Sequence, residues 1–389
     1  GNYVVYNGSG SSVGVTGLTG GNTYHIRVFE FNGISGSEVY NVNAATGNPI
    51  SQATPGPFVT TWSTTDEEIN IPTKSGETYN YNISWTNLTN ATQGDGSATA
   101  VTGDHLITGL NNGDTYEIEI TGTFPAIQFN NDPTDRVKIL TVEQWGAISW
   151  LSFANAFYGC SNLTITAVDA PDLSLVTDMS SAFHNTSMLN QSIDHWDVSN
   201  VQDFSNMFRG ASIFNQPLNS WTVTSALDMS HMFRDADDFN QNLNSWVPSS
   251  VTTMFGMFYG ADVFDGSIQN WDVSSVTNMR SMFFNCTDFN QPLAGWGGTT
   301  GMVQDMSLMF QNATSFNQPL NVWDVSSVQD MDNMFDNAAA FNQNLNGWVT
   351  TSLTSLSQTF KDAVLFNGQI DNWDVDLVTN FFETFEGAK

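Results

Sequence analysis

Positive charge is the scarcest property of this sequence. Only 9 of its 389 residues are Lys or Arg, against 39 Asp or Glu, which gives a formal net charge of -30. Charged residues make up 12% of the chain, about half the usual share, so solubility depends largely on Asn, Ser, Thr and Gln. A polyanion repels nucleic acids and anionic lipid surfaces. The composition therefore argues against nucleic-acid binding and suits salty surroundings or divalent cations.

Long hydrophobic runs are missing as well. No stretch approaches the ~20 apolar residues of a membrane-spanning helix, and no signal-peptide pattern is present. We therefore predict no membrane insertion in this segment. The chain opens with GNYVVYNGSG and stops at FEGAK, and both ends look like cuts through larger units. This pattern predicts a piece of a longer precursor that carries further domains.

An uncharged octet, FNQPLNSW at 214–221, recurs through the second part of the chain. It returns as FNQNLNSW, FNQPLAGW, FNQPLNVW and FNQNLNGW, and its tryptophans lie 25 residues apart with one step of 27. Self-similarity at a fixed period is typical of a solenoid, in which each repeat contacts only its neighbours. The tryptophans that follow this period are Trp196, Trp221, Trp246, Trp271, Trp296, Trp323, Trp348 and Trp373.

Each repeat can also be interpreted locally. Trp271 and Val273 are two residues apart, as on one face of a strand. Val276, Met279 and Phe283 then follow a helical spacing, with DVSS as the N-cap. This predicts a coil built from a strand, a turn, a short helix and the FNQ corner. Stacked coils would bury Leu, Trp, Val, Met and Phe in one continuous core.

The asparagine of FNQ has a structural interpretation. A carboxamide both donates and accepts hydrogen bonds, so a column of them can satisfy the backbone at a corner and bond to the repeats on either side. We predict an internal ladder and weigh against it a functional asparagine array. The column comprises Asn215, Asn240, Asn290, Asn317, Asn342 and Asn367.

Cysteine is nearly absent. Cys160 and Cys286 each follow a repeat phenylalanine by three residues, and they stand five repeats apart. At ~4.8 Å or more per coil their separation is beyond the reach of a disulfide. We predict two buried free thiols.

The first third of the chain contains a different internal repeat, which consists of two similar segments. VTGLTGGNTYHIRV (15–28) matches ITGLNNGDTYEIEI (107–120), and in both a Tyr leads an alternating strand six residues after a Leu. That spacing is typical of the tyrosine corner of Ig-like β-sandwiches. The Gly, Pro and Ser/Thr content of TGNPISQATPGP is typical of a linker. We predict one partial β module at 1–50, a second at 57–125, and a solenoid with an N-terminal cap at 126–389.

Residues from about 140 to 389 resemble the BspA-like leucine-rich repeats of bacterial surface proteins, in the variant with a 25-residue Trp/Met/Phe-rich unit. The resemblance rests on the FNQPLNSW-type octet, the DVSSVT and MF elements, and GCSNLTITAVDAPDLS at 159–174. The first 50 residues resemble the later strands of a fibronectin type III domain. PFVTTW and the strands after it resemble the sandwich that precedes such repeats in secreted Bacteroidetes proteins. The resemblance implies a secreted or surface-anchored protein, commonly an adhesin or interaction scaffold.

No pattern in the sequence predicts catalysis. The five histidines, His25, His105, His184, His195 and His231, have no metal-ligand spacing. No GxSxG, phosphate-binding glycine loop or cysteine beside a base occurs. We therefore predict that the protein is not an enzyme and carries no cofactor.

Two columns of aspartates remain. They are Asp178, Asp203, Asp228, Asp305 and Asp330 before the methionine, and Asp197, Asp272, Asp324 and Asp374 after the tryptophan. One interpretation is that they cap the short helices. The other is that stacked carboxylates bind Ca²⁺.

A ligand of a solenoid should contact positions that vary while the frame stays constant. The residue after the repeat phenylalanine varies in this way and carries aromatic and basic side chains, which are typical of contact surfaces. The alternative is that these residues are merely exposed and that their identities vary without a functional constraint. The candidate binding residues are Tyr158, His184, Arg209, Arg234, Tyr259, Phe284 and Lys361, in a column completed by Gln311, Asp336 and Glu386.

These observations predict a mainly β fold with short helices, in which two Ig-like sandwiches precede a leucine-rich-repeat-like solenoid. The predicted function is non-catalytic adhesion or binding of a protein or glycan ligand, outside the cell or at its surface. The alternatives are a targeting or spacer region of a larger secreted enzyme, and a calcium-stiffened stalk.

Overall fold

The computed structural model describes four short strands within residues 1–55 and, after them, residues 56–91 and 93–388. The chain divides into two compact units, Gly1–Pro57 and Phe58–Lys389. The described part is mainly β with almost no helix. In the first unit β1 pairs with β4 and β2 with β3, both antiparallel. These strands are β1 (Thr23–Ile26), β2 (Phe31–Asn32), β3 (Val39–Tyr40) and β4 (Ile50–Ala53).

The predicted partial module at 1–50 lies mostly outside the described residues. The side chain of Tyr24, which the tyrosine-corner prediction concerns, also lies outside them. The second unit begins with eight strands, which form a six-stranded sheet in the order β12-β11-β5-β10-β7-β8 and a two-stranded sheet of β6 and β9. They are β5 (Phe58–Ser63), β6 (Glu68–Ile71), β7 (Asn80–Asn87), β8 (Gly96–Val101), β9 (His105–Thr108), β10 (Thr115–Thr123), β11 (Ile139–Gln144) and β12 (Thr164–Ile165).

Strand β10 shows why these residues form a sheet. Tyr116, Ile118 and Ile120 are buried, and the glutamates between them point to the other face, as the two-residue period of a strand requires. The hydroxyl of Tyr116 accepts a hydrogen bond from the backbone amide of Asn111 at 2.8 Å. A tyrosine corner makes a contact of this kind between a hydroxyl and the backbone.

The sheet continues into the first repeats. Strand β11 pairs antiparallel with β5 and parallel with β12, which lies among the residues that begin the repeats. The amides of Phe129 and Asn131 donate to the carbonyls of Ala156 and Tyr158 at 3.1 and 3.0 Å. Residues that precede the repeats thus satisfy the backbone acceptors of the first one.

We call residues 151–388 the repeat region. The described residues of this region form successive turns and one 3-10 helix, Ala294–Trp296. Apart from β12, they form none of the predicted strands, and they form none of the predicted short α-helices. The amides of Met279, Ser281 and Phe283 donate to carbonyls of the next repeat at 2.9–3.0 Å. An α-helix would turn those amides back to the residue four positions earlier. The prediction of a strand and a helix in each coil was therefore wrong.

Left-handed backbone makes these turns possible. Each repeat has two residues at positive φ, four positions apart, for example Asn333 and Asn337 with φ of 59° and 54°. Asn, Asp and Gly tolerate this conformation best. The second position holds only these three types: Gly159, Asn185, Gly210, Asp235, Gly260, Asn285, Asn312, Asn337, Asp362 and Gly387.

The apolar columns align between repeats. Trp221, Trp246 and Trp271 stack with ring centroids 6.4 and 6.1 Å apart and nearly parallel planes, so their predicted alignment is confirmed. A phenylalanine column stacks at 5.5–5.8 Å throughout the repeat region. Neighbouring repeats also pair in parallel at single bridges, from Asp178–Asp203 to Ser355–Asn380. One extended hydrophobic core results.

Candidate binding face

The predicted binding residues occupy one defined place in the turn. Arg209, for example, follows the buried Phe208 and precedes Gly210, which has a φ of 66°. A Cβ on Gly210 would clash with Oδ1 of Asn185 in the repeat before it, so a larger residue there would have to displace that side chain. A buried anchor on one side and a left-handed residue on the other fix the direction of the intervening side chain.

Six of these side chains form what we call the stacked column: Tyr158, His184, Arg209, Arg234, Tyr259 and Phe284. All six are partly buried. The rings of Tyr158 and His184 stack at 4.1 Å with an angle of 4°, and those of Tyr259 and Phe284 at 4.3 Å with 8°. The Cζ of Arg234 lies 4.1 Å from the centroid of Tyr259, within the range of a cation–π interaction.

The later part of the predicted column is organised differently. The Nε2 of Gln311 donates to Oδ2 of Asp336 at 2.6 Å. Lys361 pairs with Glu383 and lies 3.7 Å from a carboxylate oxygen of Glu386. The structure thus groups Tyr158 with His184 and Arg234 with Tyr259 and Phe284, and it places Arg209 in the repeat between these two groups. It places Lys361 in an internal ion pair.

Burial and nearby positive charge act on the histidines. Burial lowers the pKa of His184 to about 4, and the charge of Arg209 contributes in the same direction. Burial also lowers the pKa of His231, again with contributions from Arg234 and Arg209. Both imidazoles are therefore neutral at pH 7, and the positive charge of this face resides in the arginines.

The sequence profile of the family described as "Mycoplasma protein of unknown function, DUF285" matches residues 151–262, 243–300 and 298–389. These overlapping matches cover more than half of the chain. The chain belongs to the DUF285 family. The comparison with curated proteins found no match, and neither did the comparison with solved structures.

The DUF285 repeats hold two further aromatic or basic residues, Phe255 and Arg280, that were not predicted from the sequence. The ring of Phe255 packs edge-on against His231, with centroids 4.4 Å apart. Arg280 donates to Oγ of Ser307 at 2.7 Å. Phe255 and Arg280 occupy a repeat position that is serine in several other repeats. The replacement of serine by an aromatic or basic residue at this position could have identified both residues from the sequence.

The aspartate columns of the DUF285 repeats cap turns. Asp203 and Asp305 accept hydrogen bonds from the amides two residues later at 2.8 and 2.9 Å. In the other column, the side-chain hydroxyl and the amide of Ser326 lower the pKa of Asp324. The capping interpretation is confirmed for these carboxylates, although the capped element is a turn. Within residues 56–91 and 93–388, no group of three or more His, Cys, Asp or Glu is arranged to hold a metal ion.

The asparagine ladder is continuous. Each backbone amide of the column donates to the side-chain oxygen of the equivalent residue in the previous repeat at 2.7–3.0 Å. The series starts from Asn190 and passes through Asp265. The predicted ladder is therefore confirmed. Its predicted internal position was wrong, because Asn240, Asn317 and Asn342 are exposed. The ladder runs along the surface of the repeats.

Cys160 and Cys286 are both free and buried, as predicted. Burial raises the pKa of both thiols, so they are poor nucleophiles. Cys286 occupies the repeat position of Ala261 and Ala313 and serves as a small core residue. Among the described residues, no helix has the length and apolarity needed to cross a bilayer.

Proposed function

We propose that this DUF285 protein is a non-catalytic, extracellular or cell-surface segment that binds a ligand through the face bearing the stacked column. The main support is that Arg209 and Arg234 lie in the repeats between two pairs of stacked rings, Tyr158 with His184 and Tyr259 with Phe284. Aromatic and arginine side chains dominate the binding energy of many interfaces. On a chain with 9 basic residues and 39 acidic ones, two neighbouring arginines on a variable position favour a role in recognition.

We also propose the finer architecture. The repeats form a solenoid of the BspA-like leucine-rich-repeat type, and Ig-like or fibronectin type III-like modules precede it. The stacked phenylalanines and the parallel bridges between successive repeats support the solenoid. The hydrogen bond from the amide of Asn111 to the hydroxyl of Tyr116 supports the sandwich assignment of residues 57–125. A rigid stack of this kind would hold the column in place for a partner.

Two rival functions remain distinct from binding. A spacer in a larger secreted enzyme needs a stiff rod, and the stacked column would then have no ligand. A calcium-stiffened stalk needs carboxylates with free oxygen atoms. The turn-capping bonds of Asp203 and Asp305 use one carboxylate oxygen of each residue, which makes these columns poorer cation sites. The binding function is therefore the one that the geometry favours.

The full chain should be screened for binding to cultured cells, a glycan array and extracellular matrix proteins. We expect a saturable interaction that weakens at least tenfold when Arg209→Ala and Arg234→Ala are combined. Lys361→Ala is the matched control, because it removes one positive charge from the same repeat position, where Glu383 already neutralises it. A chain that binds nothing on any of these surfaces would overturn the proposal in favour of the spacer. A melting temperature that rises with Ca²⁺ and falls with EDTA would favour the stalk.

A further inference from the structure

Arg209 is an unneutralised cation in an acidic protein. Its Nη1 donates to Oδ1 of Asn206 at 3.3 Å. Across the described ranges, no carboxylate lies within ion-pair distance of it. The next residue of the column, Arg234, shares a single 3.2 Å contact with Asp235, whose side chain is 48% exposed. Although the chain has 39 acidic residues, Arg209 thus forms no internal ion pair among the described residues, and Arg234 forms a single one with a solvent-exposed partner.

The rings of the stacked column present their edges. Tyr259 has Arg234 over one face and Phe284 stacked on the other, one repeat to each side. Tyr158 and His184 likewise cover one face of each other. The edge of an aromatic ring carries partial positive charge, whereas its face is negative. The edges of these rings therefore add partial positive charge beside the two guanidinium groups.

This geometry discriminates between ligand classes. Sugar rings pack their C–H groups on open, negative aromatic faces, and both faces of Tyr259 are already covered. A guanidinium group, by contrast, forms bidentate hydrogen bonds with a carboxylate. A highly charged polyanion is disfavoured, because the chain as a whole carries a net charge of -30. The suitable ligand carries a localised negative charge on an otherwise near-neutral surface.

We propose that the stacked column binds an acidic side chain, Asp or Glu, of a partner polypeptide, held by the guanidinium groups of Arg209 and Arg234. The ring edges of His184 and Tyr259, their neighbours in the column, flank the bound carboxylate. The imidazole of His184 stays neutral, so the two arginines supply the charge and bonding geometry. This inference rests on the proposed binding function and specifies its ligand.

A peptide selection tests the inference without knowledge of the natural partner. A displayed library of random 12-residue peptides is selected on the full wild-type chain and, in parallel, on Arg209→Ala/Arg234→Ala. We expect Asp or Glu to be enriched at one or two positions on the wild-type chain only. A selected peptide should bind at least tenfold more weakly when that acidic residue is changed to Asn or Gln, and a similar loss should follow from the double variant.

Lys361→Ala again provides the charge control and should leave peptide affinity within twofold of the wild-type value. Circular dichroism and melting curves of the double variant establish that it is folded. The inference is overturned if acidic residues are not enriched, or if their enrichment persists on the double variant. Binding of uronic-acid oligosaccharides with no acidic-peptide selectivity would also overturn it while leaving the proposed binding function intact. A chain that binds neither peptides nor any cell, glycan or protein surface would remove both.

Discussion

The indole Nε1 of Trp246 donates a hydrogen bond to the carbonyl oxygen of Leu218, 28 residues earlier, at 2.8 Å in the buried core. The same bond recurs from Trp221 to Trp373 at 2.8–3.1 Å, always to a Leu or Ile of the preceding repeat. Each tryptophan thus fills the core and also satisfies a backbone acceptor of its neighbour.

Replacing Trp246 with Phe tests this second role. The carbonyl of Leu218 loses a buried donor, which costs about 1–3 kcal/mol in addition to the lost ring volume. The control is Trp196→Phe, because the buried Nε1 of Trp196 has no partner in the described part of the chain. Denaturant unfolding of the full chain should show Trp246→Phe to be the more destabilised variant by at least ~1 kcal/mol. Equal losses for the two variants would contradict a role for the indole hydrogen bond.

Leu308 is a poor fit to its backbone conformation. It has a φ of 59°, at a position where three other repeats place Asn155, Asn206 and Asn333. A left-handed conformation costs a residue such as leucine roughly 1–2 kcal/mol. We therefore expect Leu308→Asn to stabilise the chain by up to about 1 kcal/mol, measured as a higher denaturation midpoint.

The control for this substitution is Leu227→Asn. Leu227 is 44% exposed, more than the partly buried Leu308, and it is not among the residues at positive φ. The same change of side chain there should bring no gain in stability. If both substitutions stabilise the chain equally, removal of exposed apolar surface rather than relief of strain is responsible.

The surface ladder can be interrupted at Asn317. Its Oδ1 accepts hydrogen bonds from the amide of Asn342 at 3.0 Å and from Nε2 of Gln343 at 2.7 Å. Asn317→Ala removes this acceptor and should cost about 1 kcal/mol of folding free energy. Asn317→Asp keeps an acceptor, as Asp265 does in the same column, and should remain close to wild type. Chemical denaturation of both variants compares them directly, and equal stability of the two would argue against the ladder.

His184 should make stability depend on pH. Its folded-state pKa of about 4 lies below the ~6.5 of an unfolded histidine. The unfolded chain therefore binds this proton first, and stability is lost as pH falls from about 6.5 toward 4. His184→Phe removes the effect and keeps a ring at a position where Phe284 already occurs. Between pH 7 and pH 5, the wild-type chain should lose about 1 kcal/mol relative to the variant, after allowance for the screening of a half-buried group. Parallel unfolding curves at the two pH values would contradict this assignment.

The recurrent columns were the part of the fold that could be predicted from sequence. Residues at one phase of a 25-residue period must lie above one another if the repeats stack, which placed Trp221 over Trp246 and bonded Asn215 to Asn240. The short helix was predicted wrongly, because the apolar spacing of Val276, Met279 and Phe283 also fits a tightly turned chain that bonds to its neighbour. The recurrence of Asn, Asp and Gly after the column was the overlooked sign of left-handed turns.

For the candidate site, the sequence predicted which residues lie in adjacent repeats, but it did not predict the contacts between their side chains. A shared phase brought Arg234 and Tyr259 to adjacent repeats, but it did not reveal that the guanidinium group covers the ring. The ion pair of Lys361 with Glu383 joins different repeat positions, so the column alone gave no indication of it. Such contacts depend on side-chain conformations that a periodic pattern does not encode.

One series of backbone bonds between successive repeats has its donor amide in the earlier repeat and its acceptor carbonyl in the later one, from Phe153 with Asp178 to Asp362 with Glu386. A second, smaller series has the opposite direction, as in the bond from the amide of Gln202 to the carbonyl of Thr177. Aligned peptide groups add their dipoles, as they do along a helix. Because the first series has more bonds per repeat than the second, its dipoles are only partly cancelled. The excess places partial positive charge toward the repeat of Glu383 and Glu386, whose carboxylates it favours.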